Sequence, residues 1–540
     1  MSLKRTSRNK LNTSYLLAAL SSMVFYFLVN GYRLFNSLFS GDALLMIYQN
    51  DAAWQIALGR VGQPFLVFLR GGITAPFLIS ALAAGWIAAS VVFTVNLLRL
   101  KNYGSIVLTA AVMSCHISMI AANANFLPWV DFYAFALFLA VFGVWLIRRQ
   151  KRSACIAGVV ALALCLSVYQ AYICVAIGLF MILLLLDLLE ETTWKVFFKK
   201  SIFAIGTLLA GALGYVVFWK VIQKSLHIWT ADSYNGLASV GDYSKLSIGT
   251  VLRLTYGNVA SYFWNPLQFI TMTFREKNLS LLWTWGLRIG NLLLIAALIV
   301  LLFRLNRKKQ TAAWQKAMQC LLLMLFPLGI NFVCFLSQGM EHSLMTYAFC
   351  LVPVLAVALT DRQIPDPESR IEMPPEKEAA LSVSARVADH LKRCTPALLL
   401  MTLILGLQTW TYMVYANQVY LQKEAQERAA QSLMSRIETE IEHTQGYIPG
   451  ETPVAFTGSF ETSPYIKAPD AFAELQTWGT AQTALSYIGT DYAYLGHFEN
   501  MKMNRTRVDA QDERIQDMPC YPVEGSVAYI DGILVVKISD

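Results

Sequence analysis

Two aspartates and two arginines stand in a mostly apolar stretch that follows the first hydrophobic run. Asp42 and Asp51 are carboxylates, the kind of group that acts as a general base and takes a proton from an attacking hydroxyl. Arg60 and Arg70 carry guanidinium groups, which bind phosphate oxygens through paired hydrogen bonds. The segment therefore holds candidate groups for proton transfer and for anion binding.

Helical spacing limits how these groups cooperate. Asp42 and Asp51 are nine residues apart, which is about 900° of rotation, so they face opposite sides of a straight helix. Asp51 and Arg60 have the same relation, whereas Asp42 and Arg60 share a face but would lie about 27 Å apart. Either the segment bends, at Asn50 or Gly59, or only one aspartate is catalytic.

Simpler roles compete with the catalytic ones. The pattern Ser40-Gly41-Asp42 is typical of a helix start, where Asp42 would cap the helix and Asp51 would be a solvated charge. Spacing alone favours these roles over catalysis. Arg60 fits a contact with a lipid headgroup equally well.

Five further polar residues beside apolar runs are candidates for substrate contact. Asp131 stands at the start of the fourth run, where it either faces the same cavity or, as we expect, caps the helix. Glu341 and His342 lie in a short link, where solvation is the default. Tyr169 and Gln170 lie in a predicted turn, and Gln170 is expected to satisfy backbone groups there. No residue spacing predicts metal ligands.

Long uncharged runs must position these residues. The chain has 540 residues, 56% hydrophobic and 14% charged, whereas soluble proteins carry about 25% charged residues. The net charge of +8 does not indicate nucleic-acid binding, because Lys and Arg cluster in short links between apolar runs. The composition predicts a polytopic α-helical membrane protein with about eleven transmembrane helices.

Basic links alternate with links that lack Lys and Arg. The positive-inside rule places the basic links and the N-terminus in the cytoplasm. The uncharged stretch 153–186 has basic flanks, and as one helix it would be about 50 Å long, against a hydrocarbon core of about 30 Å. We expect two crossings with a turn at 169–172, which makes the number of spans odd and places the C-terminus outside. The apolar runs are 15–32, 73–98, 105–126, 131–147, 154–168, 173–189, 201–222, 284–303, 317–337, 344–360 and 396–417.

The chain after the last run is predicted to form a second domain. Residues 1–417 would be the transmembrane domain that holds the candidate residues, and residues 418–540 a small extracytoplasmic α/β domain. We expect a polar helix over 422–443, a strand over 453–457 and a closing hairpin over 527–538 that turns at Asp531-Gly532.

Four short patterns together resemble one family. They are Asp42, Gly59-Arg60, Pro128 with Phe132 and Tyr133, and the turn from Ser167 to Tyr172. The combination resembles the type II glucosyltransferase family, whose members modify bacterial cell-surface polysaccharides, over most of residues 30–360. One departure lies beside Asp42, because the family has adjacent acidic residues there and this chain has Gly41.

The resemblance implies an enzyme of the GT-C type in the plasma membrane of a bacterium. Such an enzyme moves a hexosyl group, here expected to be glucosyl, from a polyprenyl-phosphate carrier to a cell-surface glycan on the outer face, usually with inversion. Its partners would include enzymes that make and flip the lipid-linked donor. The cytoplasmic links hold no nucleotide fingerprint. No cofactor is expected, and nothing in the sequence supports a divalent metal. Asp42 is the preferred base and Arg60 the phosphate clamp, with Arg70 as the alternative clamp and Asp51 as the alternative base.

Two other functions stay open on sequence grounds. A transporter or flippase for lipid-linked sugars often has two related halves with broken helices, and we find no such internal symmetry. A non-catalytic protein of polysaccharide assembly would use the C-terminal domain as a binding module. Replacement of an outer aspartate separates these classes, because an enzyme should lose all activity while it stays folded.

Overall fold

A computed structural model of the chain describes residues 2–36, 38–49, 51–190, 192–231, 247–265, 281–337, 339, 341–363, 395–460, 485 and 489–540. Helices make up most of it. They are α1 (Ser2–Phe35), α2 (Gly41–Leu45), α3 (Ala52–Ala57), α4 (Gln63–Leu69), α5 (Pro76–Leu98), α6 (Tyr103–Ser114), α7 (Ile117–Asn125), α8 (Val130–Arg148), α9 (Arg152–Val168), α10 (Ile173–Asp187), α11 (Trp194–Ser225), α12 (Ile248–Trp264), α13 (Leu281–Lys309), α14 (Ala313–Ile330), α15 (Phe332–Leu336), α16 (Leu351–Gln363), α17 (Pro396–His443), α18 (Thr490–Phe498) and α19 (Glu513–Gln516).

Shorter elements complete the fold. Three 3₁₀ segments, Leu127–Trp129, Gln170–Tyr172 and Ser343–Cys350, precede α8, α10 and α16 without a break. The strands are β1 (Pro453–Thr457), β2 (Asn504–Arg505), β3 (Val527–Ile530) and β4 (Ile533–Lys537).

Ten helical segments of the described chain are long and apolar enough to cross a membrane. The remaining predicted run is α9, an apolar helix of 17 residues that is shorter than the others. The structure therefore confirms a polytopic α-helical membrane protein, and the predicted count of about eleven is reached when α9 is included.

The predicted break in the long uncharged stretch is confirmed. Helix α9 ends at Val168, Tyr169 is extended with φ −157°, and the 3₁₀ turn at Gln170–Tyr172 leads into α10. Helices α9 and α10 are only 17 and 15 residues long. The turn is wholly buried except at Gln170, which is half-buried.

Helix α8 is central to the bundle. It packs between α5 and α9 and also contacts α10, while α1 packs against α5 and α6. By contrast, α11, α13 and α14 expose large apolar side chains such as Leu209, Phe303 and Met324. Because lipid, not water, surrounds a spanning segment, these exposed faces are suited to contact with acyl chains.

Helix α17 is 48 residues long and has no interruption. Thr395 caps its start by accepting a hydrogen bond from the Leu398 backbone, and Pro396 occupies the first turn, where its missing N–H costs nothing. The predicted domain boundary between residues 417 and 418 lies inside this helix. The polar helix predicted for 422–443 is therefore the second half of the last apolar helix.

The C-terminal strands form one four-stranded sheet in the order β2-β1-β4-β3. Strand β1 is parallel to both of its neighbours, and β3 and β4 form an antiparallel hairpin in which Ile530 pairs with Ile533. Asp531 and Gly532 both have positive φ, 50° and 80°, as a two-residue hairpin turn of type I′ requires. The predicted strand at 453–457 and the predicted closing hairpin are confirmed.

Candidate functional site

The segment that holds the candidate acids and bases is broken into three short helices. Helix α2 ends at Leu45, a bridge joins Tyr48 to Ile73, and α3 starts at Ala52. A second break follows at Gly59, whose φ of +80° ends α3 before α4 begins. The segment is therefore bent, and the opposite-face geometry of a straight helix does not apply.

Asp42 lies in the first turn of α2 and is half-buried. The structure gives the capping role to Ser40, whose hydroxyl accepts from the Ala43 backbone at 3.4 Å and donates to the Asn125 carbonyl at 2.6 Å. The expectation that Asp42 caps the helix is therefore wrong. Among the described residues, nothing donates a hydrogen bond to its carboxylate, and burial raises the pKa of Asp42 to about 6.

Asp51 occupies the N-terminal position before α3 but makes no capping bond to the backbone. Its carboxylate instead accepts a hydrogen bond from the Gln55 side chain one turn later. Asp51 is half-buried, not fully solvated as the simpler interpretation supposed. Its carboxylate has a local partner, whereas that of Asp42 has none in the described chain.

Arg60 lies beside the turn between α9 and α10. Its guanidinium carbon is 5.2 Å from the centre of the Tyr169 ring, a cation–π contact. The Nε atom of Arg60 is buried and has no hydrogen-bond partner in the described part of the chain. The charge of Arg60 also reaches His342, where it adds to burial in lowering the pKa of the imidazole to about 4.

The loop around Gly59 is fixed by Gln170. The Gln170 amide donates to the Leu58 carbonyl and to the Tyr215 hydroxyl, both at 3.0 Å, and Tyr215 donates to the Gly59 carbonyl at 3.0 Å. Gln170 was expected to satisfy backbone groups at its own turn, but the carbonyl that it bonds, Leu58, belongs to the loop between α3 and α4. Tyr215 was missed by the sequence analysis, although a tyrosine in an apolar helix is a signal for a buried polar contact.

The other half of the same loop docks on the end of α9. The Gly62 N–H donates to the Ser167 carbonyl at 2.9 Å, and the Gln63 side chain donates to the Val168 carbonyl at 2.8 Å. A Cβ atom at Gly62 would lie 2.7 Å from the Ser167 hydroxyl. The Gly-Arg pattern and the Ser-x-Tyr-Gln pattern, more than a hundred residues apart in the chain, are thus two sides of one contact.

Arg70 and Asp131 form a buried ion pair of 2.5 Å. Arg70 also donates to the Gln49 side chain at 2.6 Å and to the Pro128 carbonyl at 2.7 Å, and its guanidinium lies 4.6 Å from the centre of the Phe132 ring. Asp131 was expected to cap α8, but no side chain caps that helix. Arg70 was offered as a phosphate clamp, and the structure commits it to protein partners.

Glu341 and His342 were expected to be solvated, and this is wrong. Glu341 accepts a hydrogen bond from Asn331 at 3.2 Å through one oxygen, and its other oxygen is buried without a partner among the described residues. Burial raises the pKa of Glu341 to about 7. The His342 ring packs edge-on against Phe126 at 5.7 Å. Asn331, which ends α14, was missed by the sequence analysis.

The segment 125–131 joins these groups. Ser40 bonds to Asn125, His342 packs on Phe126, and Arg70 bonds to Pro128 and Asp131. Two residues further on, the Tyr133 ring lies 4.6 Å from Tyr169. The candidate residues therefore gather at one end of the bundle, around the start of α8.

Helix α18 of the C-terminal region returns to this end. The Phe498 ring lies 5.3 Å from Phe39, and the His497 ring lies 5.6 Å from Tyr48. Helix α18 also packs directly against α2. The C-terminal region thus covers the helix that carries Asp42.

Comparison with protein families decides what kind of protein this is. The family model described as Glucosyl transferase GtrII matches residues 31–357, more than half of the chain. The chain belongs to this family. It is therefore a multi-pass membrane glycosyltransferase, and the resemblance noted in the sequence is confirmed. Comparison with curated proteins and with solved structures gave no match.

The GtrII match contains every candidate residue discussed above, from Asp42 to His342. It ends before α17, so the long helix and the C-terminal sheet lie outside it. Within the ranges that the structure describes, no three His, Cys, Asp or Glu side chains are grouped as metal ligands would be. The GtrII site offers three groups for chemistry. They are the partly buried carboxylate of Asp42, the guanidinium of Arg60, whose Nε–H has no partner in the described chain, and the carboxyl of Glu341, whose pKa burial raises to about 7.

Proposed function

We propose that this GtrII protein transfers a hexosyl group, expected to be glucosyl, from a polyprenyl-phosphate carrier to a cell-surface glycan. The transfer would take place at the outer face of a bacterial plasma membrane, at the end of the bundle where α2 and α8 begin. The half-buried Asp42 carboxylate, which has no partner in the described chain, carries this proposal. A carboxylate in that state is free to accept a proton.

The proposed step is a single displacement. A hydroxyl oxygen of the acceptor glycan attacks C1 of the donor sugar while the bond between C1 and the phosphate oxygen breaks. The hydroxyl proton passes to Asp42, and the bonding electron pair leaves on the polyprenyl phosphate. Arg60 donates to the phosphate and stabilises the charge that develops there. Attack opposite to the leaving group inverts the configuration at C1.

The other residues of the site take supporting roles in this proposal. Gln170 and Tyr169 hold the loop of Arg60, and the Arg70–Asp131 pair holds the start of α8. His342 packs on Phe126 and feels the charge of Arg60. We infer that His342 and its chain neighbour Glu341 contact the substrate. Asp51 is the alternative base, and its bond to Gln55 makes it the less available of the two.

Paired substitutions test the base. Asp42→Asn keeps the shape of the side chain but cannot accept the proton, so transfer should fall by about 10²–10⁴-fold at an unchanged protein level. Asp51→Asn is the matched control and should keep most activity. Transfer is measured with purified protein, lipid-linked sugar and acceptor glycan. Full activity in Asp42→Asn together with loss in Asp51→Asn would move the base to Asp51. Full activity in both would refute an enzymatic role for this segment.

A further inference from the structure

A second polar cavity lies at the opposite end of the bundle. Helix α8 starts beside Asp131 and ends at Arg148, about 26 Å away. A cavity of about 430 Å³ opens at that far end, between the ends of α5, α8, α10 and α16. It therefore shares no residue with the site around Asp42.

The lining of this cavity carries an excess of positive charge. It contains the arginines Arg99, Arg148, Arg149 and Arg362, against the carboxylates Asp187 and Glu190. Asp187 is already neutralised, because both Arg148 and Lys200 form ion pairs with it. Within the described chain, the other three arginines form no salt bridge, although Arg362 interacts electrostatically with Asp361 and Glu190. The lining still holds four arginines against two carboxylates.

Arg149 and Arg362 are held by contacts other than a salt bridge. The guanidinium of Arg149 stacks 3.9 Å from the centre of the Trp145 ring, a contact that leaves its N–H edge available. Arg362 is half-buried and donates to the Ala358 carbonyl at 3.2 Å. Trp145 donates to the Asn96 side chain at 2.8 Å, which fixes the aromatic wall. Guanidinium groups bind phosphate through paired hydrogen bonds, so a cavity lined by several arginines is suited to a phosphate group.

The depth of the cavity in the bundle indicates where the ligand comes from. The apolar spans of α5, α8 and α10 end at the residues that line the cavity. The lining also includes Tyr15 and Trp145, and tyrosine and tryptophan are typical of the membrane interface. This is the level at which lipid headgroups lie. A cavity of 430 Å³ falls in the range of about 300–1,000 Å³ that accommodates small ligands.

We propose that this cavity binds the phosphate group of an anionic lipid, on the face of the membrane opposite the transferase site. Soluble phosphate has the same chemistry as the headgroup, so the test must separate the two sources. The proposal does not depend on the transfer reaction, and its test measures binding.

Native mass spectrometry of the full-length protein measures the binding. The protein is titrated with phosphatidylglycerol, with phosphatidylcholine and with inorganic phosphate in separate arms. Wild-type protein should retain phosphatidylglycerol in preference to phosphatidylcholine. Arg149→Gln/Arg362→Gln should bind phosphatidylglycerol roughly 30-fold more weakly, because each arginine near an anionic headgroup contributes a factor of about five. Arg307→Gln removes an exposed charge from the end of α13, outside the cavity, and should bind as wild type does.

A lysine variant and the inorganic phosphate arm distinguish the remaining explanations. Arg149→Lys/Arg362→Lys keeps both charges, so recovery of binding in this variant shows that the glutamine variant failed through lost charge and not through misfolding. Binding of inorganic phosphate that the glutamine variant loses would support the site and assign it to soluble phosphate. Equal phosphatidylglycerol binding by wild type and the glutamine variant would overturn the proposal, as would binding of neither phosphatidylglycerol nor phosphate by wild type.

Discussion

Asp42 and Asp131 are two partly or fully buried carboxylates with opposite surroundings. Asp131 is paired with Arg70 at 2.5 Å, and the arginine has two further oxygen partners, so only its Nε is left without one in the described chain. Asp42 is half-buried, with no cation to compensate it within the described chain. Desolvation alone disfavours the charged form of a carboxylate. Asp131 therefore suits a structural role, and Asp42 suits proton transfer.

The pH dependence of transfer follows from Asp42. Since burial raises its pKa to about 6, the base is protonated and inactive below that pH, and the rate should rise as pH increases through 6. The profile of kcat/KM between pH 4.5 and 8 checks this. Burial also raises the pKa of Glu341, to about 7, so this group could add its own change to the pH profile. Glu341→Gln is therefore the control, and the rise in rate near pH 6 should remain in it. A flat profile in both proteins would exclude Asp42 as the base.

Arg60 offers a second prediction. Arg60→Lys keeps the charge but loses the fork that binds two phosphate oxygens at once, so kcat/KM should fall by about tenfold or more. The same change at the exposed Arg253 of α12 is the control and should have no effect. Both proteins should be produced at the normal level. Equal efficiency in Arg60→Lys and wild type would show that Arg60 does not clamp the phosphate.

Sequence reasoning identified the residue types of the site better than their partners. It selected Asp42, Arg60 and Gln170, because charged or amide groups among apolar residues stand out. It could not pair Arg70 with Asp131, which are 61 residues apart, because a contact at that separation leaves no periodic signal. It also treated Glu341 as solvated, since link length says nothing about whether other helices cover the link.

At the scale of elements, the docking of the Gly59–Gln63 loop onto the α9–α10 turn is the central contact. Both partners are irregular backbone in a largely buried part of the bundle, where unpaired polar groups are costly. Each satisfies the other, through Gly62 with Ser167 and through Gln170 with Leu58. The same contact sets the position of Arg60, so the turn is a support for the site.

Gly59→Ala should disrupt this contact. Gly59 has a φ of +80°, and a Cβ atom there would collide with the Tyr215 hydroxyl, so we expect a loss of about 2–3 kcal/mol in stability. Thermal unfolding of the detergent-solubilised protein measures it. Gly85→Ala in α5 is the matched control, because no atom lies within 4 Å of its added Cβ, and it should be neutral or stabilising by up to about 1 kcal/mol. The docking model fails if the two variants unfold alike.

The elements themselves were largely predictable from the sequence. Apolar runs, the turn at 169–172 and the C-terminal hairpin each have a local signal in hydropathy or turn chemistry. The bend of the first polar segment was left open, because its resolution into α2, α3 and α4 depends on Ser40 bonding to Asn125 and on Gly59 meeting Tyr215. Both contacts join segments far apart in the chain.

For the molecule as a whole, orientation in the membrane is the property that decides which substrates it meets. The alternation of basic links predicts that the end with α2 and α18 is outside. A reporter that is active only outside the cytoplasm should therefore work when fused after Asp540 and fail when fused after Lys309. The opposite pattern would place the candidate site on the cytoplasmic side of the membrane. Activity at neither position would reject the odd number of spans.

The uninterrupted helix α17 sets both the distance of the C-terminal region from the bundle and its rotation about the helix axis. Its side chains bind α1 through Tyr420 and Asn30, at 2.6 Å, and bind the end of α18 through Ser435 and Glu499, at 3.2 Å. One residue inserted between these points would turn everything beyond it by about 100° and lift it by about 1.5 Å. A loop absorbs such a change, but a helix transmits it. The number of residues between Tyr420 and Ser435 can therefore change only in steps close to a whole helical turn if the rotation is to be kept. Each such step would move α18 away from α2.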